Sequence, residues 1–181
     1  MWSEARLVLV VGPSGAGKDT LIRLAAASLA RQARLSFPRR VVTRVADASE
    51  DHDTLDEAAF GQAAEAGFFA LHWQAHGLRY GIPRAALATG GVAVCNVSRA
   101  AVAQARRAFA WVRVVYITAP AEMRAARVAA RGREAADGDR VLREAPGDDM
   151  GAADLVIDNS GAPEAGAARL AMFLRGLADL A

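Results

Sequence analysis

The chain has 181 residues and 19.0 kDa, with 53% hydrophobic and 23% charged residues, which excludes a disordered protein and suits one domain with a sizeable core. Its formal net charge of +2 does not demand a nucleic-acid partner, although a sequence pI near 9.2 leaves room for small anionic ligands. A single cysteine, Cys95, excludes an internal disulfide framework and a cysteine-cluster zinc site.

In chain order, Arg6 to Val11 reads as a buried strand, because it is a short β-rich apolar run ended by Gly-Pro. Asp19 to Arg31 reads as a helix with Leu21, Leu24, Ala25 and Leu29 on one face. Arg39 to Thr43 is a short strand candidate, and Arg44 to Asp53 is polar and irregular. Thr54 to Ala66 predicts a helix stopped by Gly67. The stretch FFALHWQAHGLRYGIP predicts a strand, a glycine-containing turn and a short return strand. Pro83 to Thr89 predicts a helical turn, broken by Gly90 and Gly91. VAVCNV is another buried strand, and Ser98 is a candidate N-cap for the helix after it. Trp111 to Thr118 is the next strand; Pro120 then sits at the first position of a helix running to about Arg131. RGREAADGDR is a charged break, DLVIDNS a last strand, and Pro163 starts a terminal helix. Strands alternating with helices predict a parallel sheet covered by helices on both faces.

The first strand leads straight into GPSGAGKDT, residues Gly12, Pro13, Ser14, Gly15, Ala16, Gly17, Lys18, Asp19 and Thr20. A glycine loop between strand and helix presents backbone N–H groups to phosphate oxygens, and the helix N-terminus adds positive potential. Of the 22 basic residues only Lys18 is lysine, and it stands inside this loop. A compact ammonium on a flexible stem fits between the β- and γ-phosphates of a nucleotide, where a planar guanidinium does not. The loop departs from the usual pattern at Asp19, where a serine or threonine hydroxyl for Mg²⁺ is expected. A carboxylate about 4 Å from a phosphate costs about 4 kcal/mol per like-charge pair at an effective dielectric near 20. A bound Mg²⁺ reverses that sign, so Asp19 reads as a metal-holding residue; a helix-dipole role worth about 0.3–1 kcal/mol is the alternative. Thr20 is a poor substitute, because it points about 100° round the helix. His72 and His76 flank Trp73 and Gly77 in a strand-like stretch and have no metal-ligand spacing.

GPSGAGKD, Thr43-Arg44, HGLRYGIP and VYITAP, in that order, resemble the guanylate-kinase-like branch of the P-loop kinases over most of the chain. Within that branch, Asp19, VTR at Val42 to Arg44, EDH at Glu50 to His52, HWQAHGLRYGIP and NVSR at Asn96 to Arg99 are most similar to the ribose 1,5-bisphosphate phosphokinases of phosphonate catabolism. The resemblance implies one P-loop NTPase domain of α/β class over residues 1–181. Its core would be 1–37 and 90–181, with an acceptor-binding insertion at about 38–89 and a lid at about 131–145. It implies ATP and Mg²⁺ as cofactors, and transfer of a phosphoryl group to ribose 1,5-bisphosphate, giving 5-phosphoribosyl 1-diphosphate. It further implies phosphate stabilisation by the lid arginines Arg131, Arg133 and Arg143, and acceptor contacts from Arg40, Arg44, Arg79, Tyr80, Asn96, Ser98 and Arg99.

Guanylate kinases read guanine with a hydroxyl, a Glu and an Asp; by order and spacing those places hold Arg40, Leu71 and Asn96 here. Losing both carboxylates removes the acceptors for the guanine N–H groups, while added guanidinium favours a phosphate-rich acceptor. A guanylate or other nucleoside monophosphate kinase is the nearest rival, and a non-catalytic binding module of the same fold the rival of another class. Arg124 and Arg127 are expected on a solvated helix face, and Trp73 in the core. A cytoplasmic monomer or homodimer acting on a small phosphosugar, without nucleic acid or membrane, is the expectation.

Overall fold

The computed structural model describes residues 5–45, 52–87, 90–130 and 152–180. Its main sheet has five parallel strands: β1 (Arg6–Val11), β2 (Leu35–Ser36), β7 (Val92–Asn96), β8 (Trp111–Thr118) and β9 (Leu155–Asp158), in the spatial order β2-β7-β1-β8-β9. The central strand β1 is covered on both sides, and Leu7 to Val11 are all fully buried. That is why its sequence is a continuous apolar run instead of an alternation. Val8 and Val10 face α1 (Lys18–Ser28) and the terminal helix, α5 (Pro163–Asp179), meeting Leu21, Ala25, Leu170 and Leu174. Leu7, Leu9 and Val11 face α3 (Ala100–Ala108) and the second sheet, meeting Ala101, Val102, Leu71 and Trp73. Each fully buried valine or leucine stabilises the fold by about 1.5–3 kcal/mol relative to an exposed one.

The second sheet has the order β4-β3-β6-β5, from β4 (His52–Thr54), β3 (Arg40–Val42), β6 (Leu78–Pro83) and β5 (Phe69–Ala75). β5 and β6 form an antiparallel hairpin. The register slips between Phe69 and Leu71, and this bulge sends the two side chains to different cores. Leu71 and Trp73 join the main core, whereas Phe69 stacks on Phe60 of α2 (Glu57–Glu65) at a centroid distance of 4.5 Å. Trp73 is thus a core residue, as expected, and it stacks on Tyr80 at 5.5 Å and 7° between planes.

Several boundaries differ from the sequence-based expectation for local reasons. The helix expected from Thr54 begins at Glu57, because Thr54 is still paired with Val42 in β4 and Asp56 supplies the cap, its Oδ1 accepting from Ala59 N at 2.7 Å. His52 and Asp53 are strand residues on a polar sheet edge and not irregular chain. Ser98 does not cap α3. The chain has already turned at Arg99 (φ −55°, ψ −36°), and the Ser98 hydroxyl is buried without a hydrogen-bond partner. Pro120 is the N-cap of α4 (Ala121–Ala129), one place before the expected position. The helical turn after Pro83 is a single 3₁₀ turn, Arg84–Ala86. Strand β2 is only two residues long and was not expected from the sequence.

Cys95 lies fully buried in β7, and burial pushes its thiol from an ordinary 9.0 up to about 12. The folded chain therefore keeps a proton that the unfolded chain releases near pH 9. This contribution to stability is intact below pH 9 and is lost between pH 9 and 12, at up to about 1.4 kcal/mol per pH unit. Urea titrations across that range are expected to show a steeper decline for the native sequence than for Cys95→Ala, which lowers absolute stability but removes this titration.

Candidate functional site

The glycine loop leaves the C-terminal end of β1 and ends in the first turn of α1. All three of its glycines are required by close approach as well as by backbone angle, Gly15 (φ +77°) lying against the Arg124 carbonyl. Gly12 (φ +147°) lies against the Ile117 carbonyl of β8, which a Cβ would strike, and Gly17 (φ +92°) lies against the Asn159 side-chain amide. Lys18 folds back over the loop and donates from Nζ to the carbonyls of Gly12 at 2.6 Å and Pro13 at 2.9 Å. Ala16 donates its N–H to Pro13 O at 3.2 Å, closing a turn in the loop. The outcome is a backbone cradle with an ammonium across it, at the carboxyl edge of a parallel sheet.

Two residues behind the loop, Asn159 and Arg127, hold it in this shape, and Arg124 lies buried near them. Asn159, 3% exposed at the end of β9, donates from Nδ2 to Ala16 O at 2.8 Å. Arg127 of α4 donates to Gly15 O at 3.4 Å and to Asn159 O at 3.1 Å. Arg124 is 8% exposed and donates from Nε to Ala119 O at 3.2 Å. The expectation of a solvated face for Arg124 and Arg127 is therefore wrong: one is buried, the other half-buried, and both are anchored to backbone carbonyls. Asn159 was not singled out from the sequence at all. Its only signal was a polar side chain directly after an apolar strand.

In front of the loop, Asp19 meets two residues that come from other elements. Its Oδ1 accepts from Asn96 Nδ2 at 2.6 Å, at the end of β7, and pairs with Arg40 Nη2 at 3.6 Å, at the start of β3. The Arg40 side chain is 14% exposed and its guanidinium lies 6.0 Å from the Tyr80 ring centroid. Tyr80 in turn rests on Trp73. Thr20, Arg23, Phe37 and Arg39 complete the walls of a cleft of about 240 Å³ that runs from Asp19 towards β3. Arg40 Nε and Asn96 Oδ1 are both buried without a hydrogen-bond partner. A buried donor and a buried acceptor left open beside a carboxylate form a set that suits a phosphate and a cation arriving together.

Of the other sequence-predicted residues, Ser98 and Arg99 follow Asn96 on the β7–α3 connection. Arg44 lies just beyond β3, its carbonyl accepting from Thr54 Oγ1 at 3.0 Å. Arg79 is not brought to the cleft: its guanidinium stacks 4.7 Å from the Phe60 ring centroid, whereas the neighbouring Tyr80 faces Trp73 and Arg40. Leu71, at the place of the guanine-reading Glu, is 1% exposed and belongs to the core. Arg131, Arg133 and Arg143 lie outside the described residues, as do Glu50 and Asp51. Among the described residues no cluster of three His, Cys, Asp or Glu side chains could hold a metal by protein ligands alone, and no helix is long and apolar enough to cross a membrane.

No protein-family model matches the chain. Among solved structures, guanylate kinase from Anaplasma phagocytophilum is similar in fold, with a TM-score of 0.64 and 21% identity over 97% of this chain and 88% of that one. Among curated relatives, ribose 1,5-bisphosphate phosphokinase PhnN of Methylobacterium radiotolerans is 56% identical over 172 residues, covering 93% of this chain and 97% of the relative. The protein of the same name from Brucella melitensis is 49% identical over 181 residues, covering 96% and 92%, and that from Rhodopseudomonas palustris 49% identical over 176 residues, covering 94% and 88%. With a glycine loop, a cationic cleft and full-length relatives in agreement, this chain belongs to the ribose 1,5-bisphosphate phosphokinase family, on the guanylate-kinase fold.

Proposed function

We propose that the chain transfers the γ-phosphoryl group of ATP to the 1-phosphate of ribose 1,5-bisphosphate, giving 5-phosphoribosyl 1-diphosphate and ADP, as a soluble cytoplasmic enzyme. The observation that carries this reading is the pairing of Arg40 and Asn96 at Asp19, with Leu71 sealed in the core. Where a guanine reader needs two carboxylates to accept N–H groups, this cleft offers the Arg40 guanidinium beside Asp19, the Asn96 N–H being given to Asp19, and its wall adds Arg39. In this reading residues 38–89 are the acceptor-binding insertion and 131–145 the lid.

The chemistry asks for positioning and charge stabilisation. An oxygen of the acceptor's 1-phosphate attacks the γ-phosphorus, the bond from that phosphorus to the β–γ bridging oxygen breaks, and ADP leaves. The attacking oxygen is already ionised at neutral pH, so no general base is required. Among the described residues that line the cleft, Asp19 is the single carboxylate and there is no histidine. In the proposed roles, Gly12 to Gly17 give backbone N–H contacts to phosphates, and Lys18 leaves the carbonyls of Gly12 and Pro13 for the β- and γ-phosphates. Arg40, Asn96, Ser98, Arg99 and Arg44 hold the acceptor. Arg131, Arg133 and Arg143 neutralise the transferring group, and Asp19 would hold Mg²⁺. The ion, when bound, offsets charge on the β- and γ-phosphate oxygens. Arg79, committed to Phe60, serves the small sheet's core more directly than the acceptor.

The test is ³¹P NMR of the protein with ATP and Mg²⁺, offered ribose 1,5-bisphosphate or GMP. A new diphosphate on the ribose C1 with little GDP is expected. Rapid GDP formation without sugar turnover would make the chain a divergent guanylate kinase, and no turnover with either would leave a binding module. Lys18→Ala is expected to lower turnover by about two to four orders of magnitude with little change in thermal midpoint; near-native turnover would remove the phosphate-loop assignment. Asn159→Ala, which releases Ala16 O and opens the back of the loop, is expected to weaken ATP binding in calorimetry more than binding of the sugar bisphosphate.

A further inference from the structure

Asp19 touches both halves of the cleft. It starts α1 on the main sheet, and its Oδ1 is held by Asn96 from the same sheet and by Arg40 from the second sheet. Both contacts fall on one oxygen of one carboxylate. A divalent cation and the Arg40 guanidinium therefore compete for the same charge, and Asp19 and an acceptor phosphate compete for Arg40.

We infer that Asp19 is a positioning residue that couples the two ligands, its ion pair with Arg40 acting as an electrostatic latch that the acceptor and the nucleotide-borne cation open together. This rests on the proposed phosphotransfer reading. With neither ligand present, Asp19 and Arg40 neutralise each other across the two sheets. With the cation alone, Arg40 loses its anion and faces a like charge. With the acceptor alone, Asp19 loses its cation and faces a phosphate. With both, each charge of the pair gains a new opposite partner, so either ligand favours the other by the same factor. Two buried groups have no partner in the latched state: Arg40 Nε, free to donate to the incoming phosphate, and Asn96 Oδ1, free to accept from a sugar hydroxyl. Tyr80 and Trp73 keep the guanidinium in reach of both positions through the ring contact. An aspartate serves this coupling where a loop hydroxyl cannot, since only the carboxylate carries the charge that holds Arg40.

The experiment measures binding, not turnover. Calorimetry gives the affinity of ribose 1,5-bisphosphate with and without saturating Mg²⁺ and the β,γ-imido analogue of ATP, for the native protein and Asp19→Ser. The serine restores an ordinary metal-binding hydroxyl and removes the charge. About tenfold or greater tightening is expected for the native protein, and less than about twofold for Asp19→Ser with both ligands still bound. Equal coupling in both proteins, or none in the native protein, overturns the inference. A second arm needs no sugar. Electron paramagnetic resonance gives Mn²⁺ affinity in the presence of the imido analogue for the native protein and Arg40→Gln. Several-fold tighter Mn²⁺ binding in Arg40→Gln is expected, and unchanged or weaker binding overturns the latch. If ribose 1,5-bisphosphate fails to bind the native protein at all, the proposed acceptor is wrong, and the Mn²⁺ arm alone decides the latch.

Discussion

The structure depends on how closely the glycine loop can lie against the sheet behind it. A loop that wraps phosphate must turn its N–H groups forward, which leaves its carbonyls facing back into protein, where each needs a donor or costs about 1–3 kcal/mol. Asn159 and Arg127 supply donors to Ala16 O and Gly15 O. Gly12 and Gly17 let the backbone come near enough for those bonds to form. The elements behind the loop, β8, β9 and α4, thus set its shape.

The second sheet adds the Arg40 side of the cleft through a different device. The bulge between Phe69 and Leu71 gives that sheet two apolar faces, one shared with the main core through Leu71 and Trp73, the other a small core of Val41, Phe60 and Phe69. Being packed on both faces, β3 and β6 form a firm platform for Arg40 and Tyr80. The adjacent Arg79 is spent on Phe60, because successive strand residues point to opposite faces.

What was legible in the sequence follows from how local each signal is. β1, β7 and β8 were legible because strands buried on both faces are continuous apolar runs, and the loop because its glycines and lysine have fixed spacing. β2 was not, since two residues carry no periodicity; its place is set by pairing with Val92 and Ala93. Arg124 and Arg127 read as solvent-facing because helical spacing says which residues share a face, not what that face meets. Asn159 is 143 residues from the carbonyl it supports, and Asn96 is 77 from Asp19. No window along the chain contains either pair. The substitution of Asp for a hydroxyl at residue 19 is visible in the sequence, and its charge leads to the expectation that it holds a metal, but its contact with Arg40 required the two sheets to be placed side by side.

Lys18 is the only lysine in the chain. Apart from the terminal amine, the molecule therefore has one primary amino group, and it sits across the phosphate loop with carbonyl partners at 2.6 and 2.9 Å. Amine-directed chemistry, such as reductive methylation with isotopically labelled formaldehyde, would place a single side-chain reporter at the centre of the site without any change in sequence. The arginine-rich surface stays untouched by such reagents. The protein carries a built-in spectroscopic label at its glycine loop.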